Sequence, residues 1–173
     1  MSKIITFSTS FPSYHSKAGQ PTYFVEKFLT AWDLTHSFEE LAKTPLIDAS
    51  IVDEAILHTC LPKYHTIRAG QRFKEGDYFS PRIWGTDINP KSGRSGPYHS
   101  KQIILAPDTL VTRTFLFAIS NNKFFIDNRS ISPDTLEEVA ENDGLERHDL
   151  QEWFKYPKDF YGQIICWNKN IKY

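Results

Sequence analysis

The sequence predicts an α+β fold, a small and mainly antiparallel β-barrel with flanking helices. Five or six short apolar segments alternate with clusters of glycine, proline, asparagine and serine, a pattern typical of strands joined by turns. Apolar residues at the three- and four-residue spacing of helices occur towards both ends of the chain. Of the 173 residues, 40% are hydrophobic and 14% are aromatic. This content supports one buried core, so we expect a single domain over residues 1–173.

The N-terminal part is predicted to form one strand and one helix. The strand covers residues 3–8, and Pro21 is expected to be the first helical residue, because its missing N–H would be unpaired there. Residues 33–61 are predicted to be a helical insertion, with weak helical patterns over 38–46 and 51–56. The apolar face of the first helix repeats at three- and four-residue spacing through Phe24, Val25, Phe28, Leu29 and Trp32.

The middle of the chain is predicted to be mostly strands. The stretch GTDINPKSGRSGP, residues 85–97, is a loop by composition, since glycine, proline, serine and asparagine populate turn dihedrals. Alternating or continuous apolar patterns predict strands over residues 65–68, 78–84, 101–105, 110–120 and 124–127.

The C-terminal part contains the clearest helix boundaries. Ser132 is a good N-cap, Pro133 suits the first helical position, and acidic residues follow in the first turn. Gly144 is expected to end this helix. A second helix is predicted to reach about Phe154, and a last strand to cover residues 161–167.

The charge is distributed unevenly, although the net charge is only −1. The segment from Lys63 to Arg113 contains nine basic and four acidic residues, whereas residues 127–159 contain four basic and ten acidic ones. The basic segment suggests an anionic ligand, and solvated surface charge is the alternative. No apolar run has the roughly 18 residues of a membrane helix, so we expect a cytoplasmic protein with no membrane partner. The sequence leaves the oligomeric state open.

Metal chemistry has little support in the sequence. The two cysteines, Cys60 and Cys166, lie outside any CxxC or Cys/His metal spacing, and we expect both thiols to be buried as small hydrophobes. The six histidines show no HxH or HExxH pattern. We therefore predict no metal site and no cofactor.

One short segment, KYHTIR, combines an amine, a hydroxyl and a guanidinium. In an extended strand Thr66 and Arg68 share one face, while Lys63 is out of phase with them and can converge only through an irregular entry at Pro62. A lysine with a depressed pKa can act as a base that activates a hydroxyl nucleophile, and an arginine can hold an anion. The alternative is that all three are ordinary strand-surface residues.

This segment resembles the ASCH domain of the PUA-like superfamily. KYHTIR followed by FKEGD, residues 73–77, is similar to the K-x-x-T-x-R segment and F/W-K-x-G-D turn of that family. Residues 131–168 resemble the two-helix excursion and final strand of the bacterial ASCH proteins that hydrolyse N4-acetylcytidine, and residues 3–29 resemble the family more loosely. The resemblance implies a PUA-like barrel that presents a cleft to a nucleotide or nucleic acid.

The resemblance also implies catalytic roles. Lys63 would be the general base, Thr66 the nucleophile and Asp143 the proton donor, with Arg68 as the motif arginine. Asp143 departs from the family, which has glutamate there, and the shorter side chain puts its reach to the amide in doubt. An error of about 1 Å in placement costs about a hundredfold in rate.

Basic and aromatic residues near this segment are candidate ligand contacts. Trp84 and Tyr78 can stack on a base or pack in the core, and core packing is the expected role for both. The sequence predicts nucleotide or nucleic-acid recognition, with hydrolysis of an N4-acylated cytidine, nucleotide sequestration without chemistry, and metal-independent ribonuclease activity as the open alternatives. The candidate binding residues are Arg68, Arg72, Lys74, Tyr98, His99 and Lys101.

Overall fold

The computed structural model describes residues 2–35, 51–155 and 159–173. It contains nine strands in these ranges: β1 (Lys3–Thr6), β2 (His65–Ala69), β3 (Tyr78–Trp84), β4 (Gln102–Ile104), β5 (Thr109–Leu110), β6 (Arg113–Ser120), β7 (Lys123–Ile126), β8 (Arg129–Ser130) and β9 (Phe160–Cys166). Four helices lie in the same ranges: α1 (Phe24–Thr35), α2 (Glu54–Leu57), α3 (Pro133–Asn142) and α4 (Arg147–Trp153).

The strands form two separate hydrogen-bonded sheets. A four-stranded sheet has the order β1-β3-β4, with β5 also paired to β3, and only the β1–β3 pair is parallel. A five-stranded, fully antiparallel sheet has the order β2-β9-β6-β7-β8. Each sheet therefore leaves one strand of the N-terminal half at its edge, β1 in the first and β2 in the second.

The predicted α+β class with mainly antiparallel pairing is confirmed. The strands of the described residues do not close into one hydrogen-bonded barrel. The predicted strand over 110–120 is divided, because the chain changes sheets there: the Val111 amide donates to Asp77 in the four-stranded sheet, and the Thr112 amide donates to Cys166 in the five-stranded one. Residues 85–97 contain no helix or strand, as predicted.

The first helix begins three residues later than expected. Pro21 forms an isolated β-bridge with Ser10 instead of starting the helix. Tyr23 adopts φ +56°, and the Thr22 hydroxyl accepts a hydrogen bond from the Phe24 amide at 3.3 Å. Because a left-handed residue cannot continue a helix, α1 starts at Phe24. Its predicted apolar face is confirmed, since four of the five residues are buried and Leu29 packs against the core.

The C-terminal helix boundaries are confirmed. The Ser132 hydroxyl accepts a hydrogen bond from the Thr135 amide at 3.1 Å, and Pro133 is the first residue of α3. Gly144 has φ +76°, the left-handed conformation that ends helices at little cost. The turn that it forms leads directly into α4, so these two helices stay in contact.

The core fills the space between the helices and the two sheets. Phe7, Phe28 and Phe79 surround the indole of Trp167, with ring centroids 5.4 to 6.0 Å from it. Phe7 directly follows β1 and Trp167 directly follows β9, while Phe28 lies on α1 and Phe79 on β3. One aromatic cluster therefore joins both sheets to α1. Cys166 is buried as predicted, whereas Cys60 is only half-buried.

The described residues cover only part of two predictions, the helical insertion and the absence of a membrane helix. Of the predicted insertion at 33–61, α1 extends into its start and α2 lies near its end, and the weak helical pattern over 38–46 falls in residues outside the described ranges. No helix within the described ranges has both the length and the apolar character that a membrane span needs.

Candidate functional site

The edge strands β1 and β2 are joined by an arginine side chain. Arg68, on β2, donates a hydrogen bond from Nη2 to the Thr6 carbonyl of β1 at 2.8 Å. Behind Arg68, β9 approaches very closely at Gly162, where an added Cβ would lie 2.2 Å from the Arg68 carbonyl oxygen. A glycine there is required for β2 to pair closely with β9. Arg68 is therefore held on a well-defined strand.

A cavity of about 500 Å³ opens beside this bridge. We call it the Arg68 cleft, and its polar and aromatic lining comprises Arg68, Arg72, Phe73, Trp84, Tyr98, Gln102 and Gln163. Residues 4–8 of β1 and its continuation supply another wall. The cleft thus lies between the two sheets and is lined by five separate parts of the chain.

The turn that carries Arg72 is fixed from two sides. The Gln163 side chain accepts a hydrogen bond from the Phe73 amide and donates one to the Phe73 carbonyl, both at 2.9 Å. Lys3 Nζ donates to the Arg72 carbonyl and pairs with the Asp77 carboxylate, each at 2.5 Å. Because these hydrogen bonds hold the backbone, the Cα of Arg72 has a defined position beside the cleft, and its side chain is exposed.

Two aromatic rings also line the cleft. The Trp84 and Tyr98 rings have centroids 5.3 Å apart and are tilted by 49°. Tyr98 is 87% exposed and has φ +65°, a backbone conformation that is uncommon for a bulky residue. An exposed aromatic residue held in this conformation beside a cavity is a candidate ligand contact.

The cleft has unpaired positive charge. Arg68 Nε is buried and makes no hydrogen bond within the described residues. Neither Arg68 nor Arg72 forms a salt bridge with any residue of the described ranges. Burial lowers the pKa of the Arg68 guanidinium, while Asp143 acts in the opposite direction, and an arginine keeps its charge at neutral pH. The cleft is therefore suited to an anion or to the acceptor edge of a base.

A second cluster of charged groups lies below the surface, next to Phe24. Lys63 Nζ donates to Asp143 Oδ1 at 2.6 Å and also to the Asp143 carbonyl. The Lys63 side chain is only 1% exposed, and its Nζ lies 4.2 Å from the centroid of the Phe24 ring. His65, fully buried, places Nδ1 3.5 Å from Asp143 Oδ1. Lys63 and His65 therefore converge on one carboxylate.

The environment sets the charges of this cluster. Burial lowers the pKa of Lys63 to about 8, although Asp143 favours the charged amine. Burial would raise the pKa of Asp143, but Lys63 and His65 together hold it below its ordinary value. Burial also lowers the pKa of His65. At neutral pH the cluster is thus a buried ammonium–carboxylate pair beside a neutral imidazole.

The structure brings some of the predicted residues together and separates others. Arg68, Arg72 and Tyr98 line the Arg68 cleft, and Lys63 and Asp143 contact each other. Lys63, Thr66 and Asp143 do not line the cleft. Lys63 directly precedes β2, and it contacts Asp143 together with His65, the first residue of that strand.

Three predicted binding residues lie away from the cleft lining. Lys74 is exposed in the turn that its own amide closes onto Asp77. The His99 carbonyl accepts a hydrogen bond from Asn89 within the glycine-rich loop, and Lys101 is exposed at the end of that loop. Turns and loops determine where these three side chains lie. The alternation of side chains between the two faces of a strand therefore could not predict their positions.

Core packing is the wrong interpretation for Tyr78, which is 52% exposed. It alternates with the buried Phe79 on β3, so its ring lies on the solvent side of the sheet. Trp84 is half-buried and lines the cleft. The sequence interpretation missed Gln102 and Gln163. Gln163 could have been recognised from the sequence, because it is the only side-chain amide in the largely apolar stretch YGQIICW.

The fold and cleft define an α+β protein with two mainly antiparallel sheets and a cationic, aromatic cleft at their adjoining edges. No protein-family model matches the chain, and no curated protein sequence or solved structure is significantly similar to it. No group of three or more histidine, cysteine or acidic side chains in the described ranges is arranged to hold a metal ion.

Proposed function

We propose that the Arg68 cleft binds a nucleotide, either free or within a nucleic acid. The observation that carries this proposal is the convergence of Arg68, Arg72, Trp84 and Tyr98 on one cavity of about 500 Å³. This volume lies within the range of about 300–1,000 Å³ that is typical of ligand sites. The guanidinium groups suit phosphate oxygens or base acceptors, and each base stacked on an aromatic ring contributes about 1–3 kcal/mol.

We further propose that the two sheets are the halves of an opened PUA-like barrel of the ASCH type. In this interpretation the gap between β1 and β2 is the ligand cleft, and the Arg68 side chain takes the place of the missing strand pairing. The hydrogen bond from Arg68 to the Thr6 carbonyl supports this view, because it connects the two edge strands directly.

A salt-dependent binding titration tests the proposed function. Fluorescence anisotropy with labelled RNA, single-stranded DNA and mononucleotides should show binding. The logarithm of the association constant should fall linearly with the logarithm of the salt concentration. Binding of none of these ligands at 50 mM salt would overturn the proposal. Chromatography of the bound ligand separates the alternatives, since a sequestering protein returns it intact and a metal-independent ribonuclease cleaves RNA in the presence of EDTA.

Hydrolysis of an N4-acylated cytidine is a second candidate function. It is favoured by the 2.6 Å contact between Lys63 Nζ and the Asp143 carboxylate, and by the lowered pKa of Lys63. Lys63 in its neutral form would take the proton of the Thr66 hydroxyl as the oxygen attacks the acetyl carbonyl. Asp143, protonated in turn by Lys63, would pass this proton to the departing N4. Water would then release acetate from Thr66. This function ranks second because Lys63 is almost wholly buried and lies outside the cleft lining.

If hydrolysis occurs, the protein incubated with N4-acetylcytidine should release cytidine and acetate in equal amounts, as measured by liquid chromatography. Thr66→Val should abolish this release, because the replacement keeps the volume of the side chain but lacks the nucleophilic oxygen. Thr114→Val, on β6 of the same sheet, is the matched control. Wild-type protein that leaves N4-acetylcytidine unchanged contradicts the enzymatic role and leaves the binding role intact.

A further inference from the structure

The four-stranded sheet has a partly exposed face next to the Arg68 cleft. Along β3 the buried residues Phe79, Pro81 and Ile83 alternate with residues that point to the other side. Those residues are Tyr78, Ser80, Arg82 and Trp84, of which Tyr78 is exposed, Arg82 and Trp84 are half-buried and Ser80 is buried. Since successive side chains of a strand point to opposite faces, these four share the outer face of the sheet.

The neighbouring strands continue this face with exposed apolar side chains. The strand register sets Leu110 opposite Tyr78, Ile4 opposite Ser80 and Ile104 opposite Arg82. Tyr78, Leu110, Ile4 and Ile104 are all exposed. We call Ile4, Tyr78, Arg82, Trp84, Ile104 and Leu110 the outer sheet face. A cluster of exposed apolar side chains on one face is typical of an interaction surface.

A cation with unused hydrogen-bonding capacity lies in the middle of this face. Arg82 donates from Nε to the Ser80 hydroxyl at 3.1 Å and from Nη1 to Gln102 Oε1 at 3.2 Å. Its Nη2 makes no hydrogen bond, and its guanidinium no salt bridge, with any residue of the described ranges. Two of its five N–H groups are thus engaged, while both N–H groups of Nη2 are available to an anion.

The outer sheet face is continuous with the cleft. Trp84 belongs to both surfaces, and Gln102, its partner across β3 and β4, lines the cleft. Ile4 also lines the cleft. A ligand bound in the cleft can therefore extend across the face without crossing another element of the described fold.

We propose that the outer sheet face extends the Arg68 cleft into a track for single-stranded nucleic acid. This inference rests on the proposed function of the cleft. An aromatic ring stands at each end of β3, with an unpaired guanidinium between them, which matches the bases and phosphates of a single strand. Tyr78 and Trp84 are six residues apart on β3, about 20 Å. That distance covers at most about six nucleotides at the 3.4 Å spacing of a stacked strand.

Paired bases are not available for stacking, so a duplex should bind more weakly than a single strand. The nucleobase at the Tyr78 end would stack on the exposed phenol ring, and a phosphate would lie over Arg82. A mononucleotide would occupy the cleft alone and would not reach Tyr78. The track therefore predicts that affinity rises with chain length up to about six nucleotides.

Fluorescence anisotropy with a labelled hexanucleotide, the corresponding duplex and a labelled mononucleotide tests this inference. Tyr78→Ala should weaken hexanucleotide binding by roughly 5- to 150-fold and leave mononucleotide binding unchanged. Tyr161→Ala is the matched control, because Tyr161 is also an exposed tyrosine of a strand, 68% accessible, and lies in the other sheet. Unchanged melting temperatures of both variants would establish that the fold is intact.

The possible outcomes separate the inference from the proposed function. Equal affinities for the mononucleotide and the hexanucleotide, or a Tyr78→Ala variant that binds the hexanucleotide like the wild type, would overturn the track and leave the cleft in place. A protein as the occupant of the face would give the same result. A duplex bound as tightly as the single strand would also overturn the track. Failure of every ligand to bind would overturn the proposed function and the track together.

Discussion

Replacing Lys63 by methionine is expected to destabilise the fold by about 3–5 kcal/mol, the usual cost of removing one partner from a buried ion pair. The side chains of Lys63 and Asp143 are 1% and 8% exposed, so water cannot solvate the carboxylate that the substitution leaves behind. The ammonium also donates to the Asp143 carbonyl and lies over the Phe24 ring, and both contacts would be lost.

Denaturant titration followed by circular dichroism measures this cost. The double variant Lys63→Met/Asp143→Leu should recover much of the loss, because it removes both charges and leaves neither unpaired. Arg147→Met is the control, since Arg147 pairs with Glu137 at 3.4 Å on the surface and should cost no more than about 1 kcal/mol. A Lys63→Met variant as stable as the Arg147→Met variant would show that the buried pair contributes little to the fold.

Arg68→Met is expected to weaken nucleotide binding by roughly 10- to 150-fold, the equivalent of about 1.5–3 kcal/mol for a hydrogen bond to a charged group. Arg68 supplies the cleft with a buried Nε that has no partner in the described residues, and its Nη2 holds the neighbouring strand through Thr6. The variant loses both. Arg68→Lys should recover only part of the affinity, because an ammonium cannot reproduce the fork of donors.

The salt dependence of binding distinguishes a direct contact from a structural effect. If Arg68 neutralises a phosphate, the slope of log K against log salt should become shallower by about one in the Arg68→Met variant. Arg129→Met is the matched control, because Arg129 is an exposed arginine of β8, at the far edge of the same sheet. An unchanged affinity with an unchanged slope would exclude Arg68 as a ligand contact.

These two substitutions act on different sides of the same short segment, residues 63–68. Arg68 faces the cleft between the sheets, whereas Lys63 and His65 face the turn between α3 and α4. Lys63 and His65 thus stabilise the fold through Asp143, whereas Arg68 contributes to the proposed binding. Loss of stability in the Lys63 variant and loss of affinity in the Arg68 variant should therefore be separable measurements.

The sequence predicts well the features that depend on nearby residues. Ser132, Pro133 and Gly144 mark a helix because capping and left-handed dihedrals are decided within one turn of the chain. Strand β3 matches its predicted bounds, since its turn residues and apolar pattern are both local. The basic segment around β2 could likewise be recognised from the order of its residues alone.

Only the tertiary structure decides how these segments meet. Lys63 and Asp143 are 80 residues apart, and their side chains contact because β2 runs beside the turn after α3. Gln163 fixes the backbone of Phe73 across 90 residues, and Val111 and Thr112 bond to different sheets. Capping and periodicity are properties of a few consecutive residues, whereas a cleft forms where side chains from distant strands pack together, and no local pattern specifies that packing.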